Sequence, residues 1–395
     1  MVFFNNPDWR MGKLLLCSFG AWPSQSYRTR RFLSISTIFI VQSIFVLEII
    51  KLVTVWNSIE MVTECLPMLS LHIVANIKMS NCLINLKKIK KLLNHIENDY
   101  QSDLSKSEVR TLLQDRHFHK KIITVYVIYI YAIAGAFAAI PAITKLLDIL
   151  MPLNESRPKQ FFYQAEYFVN QDEYSTFIYI HGYLTLPFPM TICVAYDFLY
   201  SACSHHVCSM FKITGDRLKN IDNNISLAEG EKFFQNSDQQ DKIHKSLIEC
   251  IKMQKLILSY INCYERIFSV SLFLVVGVNM FSLCFTSLQS LIIINQVSDA
   301  FSYMFYGFGE LVHLFLLNYQ GQNIINHSEN FYNSAFQTNW HNFSLKSKKL
   351  YILIIMRSSD FAAIRAEKLI VMSFNSFSTI LKTSVSYLMV FNSLR

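Results

Sequence analysis

Seven separate apolar runs constrain this chain more than any other feature: 32–55, 66–86, 122–147, 174–204, 267–295, 297–319 and 369–394. Each approaches or exceeds the roughly 20 helical residues that cross about 30 Å of hydrocarbon. The run 267–295 is nearly free of charge, whereas His72 and Lys78 interrupt the second run. Composition agrees: 16% of the residues are charged and 52% hydrophobic, against about 25% charged in soluble domains. The fold class is therefore all-α, a polytopic membrane protein with seven transmembrane helices in a lipid bilayer. A net charge of +8 would suggest nucleic acid in a soluble chain. Here loop asymmetry explains it, and no nucleic-acid partner is expected.

Basic residues set the orientation. Arg10, Lys13, Arg28, Arg30 and Arg31 precede the first span, and Lys87, Lys88, Lys90, Lys91, Arg110, Arg116, Lys120 and Lys121 lie between the second and third. Lys212, Arg217, Lys219, Lys232, Lys242, Lys245, Lys252 and Lys255 lie between the fourth and fifth, while the loop after the third span is acidic. The positive-inside rule then predicts a cytosolic N-terminus and an extracellular C-terminus, opposite to a G-protein-coupled receptor. No Asp-Arg-Tyr ends the third span and no Asn-Pro-x-x-Tyr lies in the seventh. The first 31 residues lack the apolar core of a signal peptide, so an uncleaved N-terminus is expected. Asn154, in Asn154-Glu155-Ser156, falls in the predicted outer loop and is the expected glycosylation site; the sequons at Asn224, Asn326 and Asn342 fall on the cytosolic side.

Catalytic chemistry is not legible. There is no Gly-rich phosphate loop, Gly-x-Ser-x-Gly elbow or His-Glu-x-x-His, so neither enzyme activity nor a cofactor is expected. Nine scattered cysteines argue against a disulfide framework. In Cys203-Ser204-His205-His206-Val207-Cys208 adjacent histidines point about 100° apart on a helix, which disfavours a zinc site. Asp197 and Glu310 lie inside spans, where an acid either serves an ion path or is packed and hydrogen-bonded between helices; the packed reading is favoured.

Leu247, Ile248, Ile251, Leu256, Ile257 and Ile261 recur at helical spacing, so spans four and five should continue beyond the bilayer around a loop at 222–240. The resulting division is 1–204 for spans one to four, 205–266 for a cytosolic helical anchor, 267–319 for spans five and six, 320–368 for further anchor and the first half of helix seven, and 369–395 for the last span. On that last helix Thr379, Thr383, Ser386, Val390 and Leu394 fall within about 40° of one line. Hydroxyls below and apolar residues above suit a cation path with a dewetting gate; they equally suit close helix packing or bonding back to the helix's own carbonyls.

The stretch 376–391, with Lys382-Thr383-Ser384-Val385-Ser386-Tyr387, together with Ile355-Met356-Arg357-Ser358-Ser359, resembles the closing region of insect odorant receptors, tetrameric cation channels opened by volatile molecules. The resemblance implies a split, pore-lining seventh helix with Val390 and Leu394 as the gate, Thr379, Thr383, Ser386 and Tyr387 along the pore, and a short anchor helix at 348–356. Where the co-receptor and gustatory receptors have a Gln six residues after the Tyr, this chain has Ser393, and its end is most similar to receptors of ants, bees and wasps. It thus resembles a tuning subunit that joins the odorant receptor co-receptor in a heterotetramer, passing monovalent and divalent cations across the plasma membrane of an olfactory sensory neuron. Ligands of this family are small, volatile or apolar, and sit between spans two, three, four and six, which here offer Leu69, His72, Ile73, Ala132, Gly135, Phe137, Tyr179, Tyr183, Tyr303 and Tyr306. A gustatory-type channel is the nearest alternative. A transporter would carry internal repeats, and none is visible.

Overall fold

The computed structural model describes residue 4 and residues 6–101, 104–150, 159, 161–226, 237–292 and 297–393. It is almost wholly helical: α1 (Pro7–Ser18), α2 (Tyr27–Thr54), α3 (Ile59–Ile84), α4 (Leu86–Gln101), α5 (Lys106–Leu150), α6 (Ser175–Thr185), α7 (Pro187–Ser226), α8 (Ser237–Ile292), α9 (Val297–Phe336), α10 (Leu345–Ser358) and α11 (Phe374–Ser393), with one short hairpin of β1 (Arg365–Ala366) and β2 (Ile370–Val371). Asn154 and Leu394 lie outside the described residues.

Helices occupy all seven apolar runs. Among the described residues, Tyr27–Thr54, Lys106–Ala139, Ser175–Ile221 and Gln239–Ile292 are long and apolar enough to cross a membrane. The helices α3, α9 and α11 carry more polar residues, many turned inward or onto one stripe. Local signals start several elements: Ser26, Ser58 and Ser344 accept hydrogen bonds from the backbone N–H groups of Thr29, Met61 and Ser347, satisfying donors that a helix start leaves open.

Two boundaries differ from the sequence reading. Span four is not one helix: Leu186 N–H closes on Gly182 O, and Pro187, which has no N–H, opens α7. The last span begins at Phe374, not 369, because 365–371 form the hairpin, in register Arg365↔Val371 and Ala366↔Ile370. Its tight turn places Glu367 and Lys368 at φ 47° and 59°, with Leu369 N–H donating to Ala366 O at 3.0 Å. Two successive left-handed residues make a type I′ turn, which ordinarily selects Asn-Gly. The strained pair is held from outside, since Arg365 N–H donates to Glu265 and Glu367 N–H to Ser269, both on α8.

At 56 residues α8 is about 84 Å long at 1.5 Å per residue, more than twice the hydrocarbon thickness. With α7 and α9 it continues past the span region into a body that includes α4 and α10. Helix α4 buries Ile89, Leu92, Leu93 and Ile96, the i, i+3, i+4, i+7 stripe of an amphipathic helix. Ion pairs Arg217–Glu108 and Lys212–Asp115 tie α7 to α5. Asp8 on α1 receives Arg116 at 2.8 Å and Lys120 at 3.2 Å, docking the N-terminal helix onto the same end.

Candidate ligand cleft and pore helix

Inside the bundle the polar residues of the spans meet. Lys78 on α3, fully buried, donates to Asp197 Oδ1 on α7 at 2.6 Å, and Tyr126 on α5 donates to Asp197 Oδ2 at 2.7 Å. His313 on α9 completes the group, with Nε2 2.7 Å from Lys78 Nζ and Nδ1 3.2 Å from the Asn279 amide on α8. Five helices are thus cross-linked by one charge-balanced network. Asp197 is packed and hydrogen-bonded, and the Lys78 that interrupts the second apolar run is its partner. Unpaired charge is costly in hydrocarbon, which is why such residues turn inward and pair.

Tyr126, Asn279 and His313 of this network line an open cleft together with Leu71, Val74, Ile130, Ile133, Met190, Cys193, Tyr306, Gly309 and Glu310, with a volume of about 80 Å³. An apolar cavity that holds benzene measures about 150 Å³. The cleft is narrower than that, so burying a ligand of that size fully within it requires its lining helices to move apart.

Of the residues named from sequence, Tyr306 lines the cleft; its hydroxyl donates to Pro67 O at 2.6 Å, and Phe137 meets its ring edge-on at 6.3 Å. Tyr303, one turn away, is half-buried. Ala132 and Gly135 face away on the exposed side of α5, while Tyr126, Ile130 and Ile133 face the cleft. Leu69 is buried and Ile73 half-buried on α3. His72 belongs to a second buried group, 2.9 Å from Glu48 on α2 and against the Tyr163 ring. Tyr179 and Tyr183 on α6 pack on Phe162, and Tyr183 donates to Ala138 O at 3.0 Å. Of the ten, Tyr306 lines the cleft, Ala132 and Gly135 face outward, and His72, Tyr179 and Tyr183 belong to separate buried or aromatic groups. Tyr126, Asn279 and His313 went unread, although a His and an Asn within apolar runs were a usable signal.

The pore-helix candidate is gripped by α9. Asn318 and Gln322 side chains accept from the N–H groups of Ser373 and Phe374 at 3.2 and 3.1 Å, occupying donors at the start of α11. Gly321 lies between them against the Met372 backbone, where a Cβ would have no room. Phe315 stacks on Phe374 at 5.8 Å and meets Phe377 at 5.6 Å. Beyond this joint α11 packs on α8 and α9 through Ile380 and Ser384, both buried. Thr379, Ser386, Tyr387 and Val390 are exposed and Thr383 half-buried. Three of the stripe hydroxyls donate to carbonyls one turn back: Thr379 to Asn375, Thr383 to Thr379 and Ser386 to Lys382. Among its described residues the predicted stripe is therefore left exposed at Thr379, Ser386 and Val390 and half-covered at Thr383 by the chain's own bundle.

The family model described as seven-transmembrane odorant receptor matches residues 58–385, well over half of the chain. The chain belongs to the odorant receptor family. A curated relative, putative odorant receptor 92a of Drosophila melanogaster, is 22% identical over 330 residues, covering 82% of this chain and 77% of that protein. Two solved structures of the insect olfactory receptor OR5 from Machilis hrabei, one in complex with eugenol, match 100% of this chain and 99% of theirs with TM-scores of 0.75 and 0.72 at 13% identity. They establish the shared fold. This odorant receptor is accordingly a multi-pass membrane protein, and its family consists of receptors rather than enzymes.

Proposed function

We propose that this receptor is a subunit of a ligand-gated, non-selective cation channel, opened by small volatile or apolar molecules, that assembles with the odorant receptor co-receptor in a heterotetramer. It would act in the plasma membrane of an olfactory neuron, with its N-terminus in the cytosol and the end of α11 outside. The observation that carries this reading is the continuity of α9. One end of α9 supplies Tyr306, Gly309, Glu310 and His313 to the cleft; the other, from Asn318 to Gln322, clamps the start of α11. Tyr306 and Asn318 are about 18 Å apart along one rigid helix. A ligand that spreads the cleft displaces α9, and α9 carries α11 with it.

In the assembly, the uncovered stripe of α11 would face three neighbours around a central axis. Thr379, Thr383 and Ser386 would hydrate a passing cation, Tyr387 would flank the path, and Val390 with Leu394 would form the apolar constriction that dewets the closed pore. Ligand binding shifts the population toward the widened state, by no more than its differential affinity for the two. OR5, solved in complex with eugenol, supports a small organic ligand here by analogy of fold.

Cells expressing this chain with a co-receptor should give inward current to some volatiles of a broad panel, whereas either chain's absence should abolish the selective response. Tyr303→Ala should move the concentration–response curve while surface assembly stays at the wild-type level. Stoichiometric ligand uptake without current would replace the channel by a transporter.

A further inference from the structure

We propose that the cleft selects apolar molecules bearing a hydrogen-bond donor, a hydroxyl or an amine, and that Glu310 receives that donor. The inference rests on the cleft being the ligand site and specifies the chemistry it takes. Glu310 is 7% exposed and lines the cleft. Its Oε2 accepts from Thr286 at 3.4 Å and the carboxyl is also approached by the Ser282 hydroxyl, while Oε1 is buried with no hydrogen-bond partner among the described residues. The other acids buried between the spans differ: Asp197 has Lys78 and His313, and Glu48 has His72. Glu310 has no such cation among the described residues.

A second unmet group borders Gly309, a residue of the cleft lining. The hydroxyl of Tyr129 on α5 is buried without a partner among the described residues, and it approaches α9 at Gly309, 4.0 Å from where a Cβ on that glycine would stand. Other polar side chains that line the cleft are already engaged with protein partners: Tyr306 with Pro67 O, Tyr126 with Asp197, and Asn279 with His313. A buried acceptor left unmet is unfavourable, and more so in lipid. A ligand hydroxyl would donate to Glu310 and accept from Tyr129; an amine would donate to Glu310. An ether of the same size offers no donor, and a hydrocarbon leaves both groups as they are. Sites built to bond a ligand OH or NH discriminate strongly against analogues without one.

The test is a set of concentration–response curves on receptor co-expressed with the co-receptor. Probes are hexan-1-ol, hexylamine, 1-methoxyhexane and heptane, with the phenethyl alcohol, amine and methyl ether as a second scaffold. On the wild type, alcohol and amine should act at about tenfold lower concentration than the ether, the factor one net hydrogen bond supplies. Glu310→Leu, close in volume, should erase that preference, bringing alcohol and amine to within about twofold of the ether on the same variant. Where Glu310→Leu does not reach the surface, Glu310→Gln decides: its weaker acceptor should cut the preference by at least about threefold. Equal potency of alcohol and ether on the wild type, or an unchanged ratio in the variants, overturns the inference and leaves the receptor a channel. Silence toward every volatile from complexes present at the surface overturns the channel reading as well.

Discussion

Lys78→Met should be among the most damaging single substitutions in this receptor. It strands Asp197, 6% exposed, with Tyr126 and His313 but without the cation that balances it. Removing one partner of a buried ion pair costs about 3–5 kcal/mol, a large part of the stability of an ordinary fold. The expected result is a sharp loss of surface protein and a lower unfolding midpoint in detergent. Asp197→Leu should behave alike. The double variant should be less destabilised than the sum of the two, because it buries no orphan charge, and a coupling of this sign is what a double-mutant cycle resolves. Wild-type expression and melting of Lys78→Met would remove the network from its place as the bundle's central cross-link.

Val390→Ala should produce current without odorant, at a level severalfold above wild type, or an altered ratio of divalent to monovalent permeability. Shortening one apolar ring lowers the cost of wetting the constriction, so the closed state leaks. The same substitution should leave the concentration dependence of odorant binding nearly intact, because Val390 is exposed on α11 and does not line the cleft. Unchanged basal current and selectivity would place the constriction elsewhere.

Much of the fold was legible because crossing hydrocarbon demands long apolar runs, and those runs correspond to the helices α2, α3, α5, α6 with α7, α8, α9 and α11. What resisted reading depends on distant partners. Lys78 counts against its own span until Asp197, 119 positions away, is brought beside it. Helix α5 around Ala132 and Gly135 is apolar on every side, so periodicity offers no phase; the inward face through Tyr126, Ile130 and Ile133 is chosen by the neighbouring helices. The hairpin at Glu367-Lys368 lacks the Asn-Gly signal of its turn type and is fixed instead by Glu265 and Ser269. The shared exposed side of Thr379, Ser386 and Val390 on α11 was legible from helical spacing, since a helix with one uncovered face keeps its period visible.

The central claim is that α11 lines the ion path, and Ser386→Cys tests it most directly. During odorant-evoked current, a membrane-impermeant cationic methanethiosulfonate reagent applied from outside should irreversibly suppress the current carried by this variant. Ser384→Cys, whose position is buried against α8, should be unaffected. Indifference of Ser386→Cys together with block of Ser384→Cys would contradict the account.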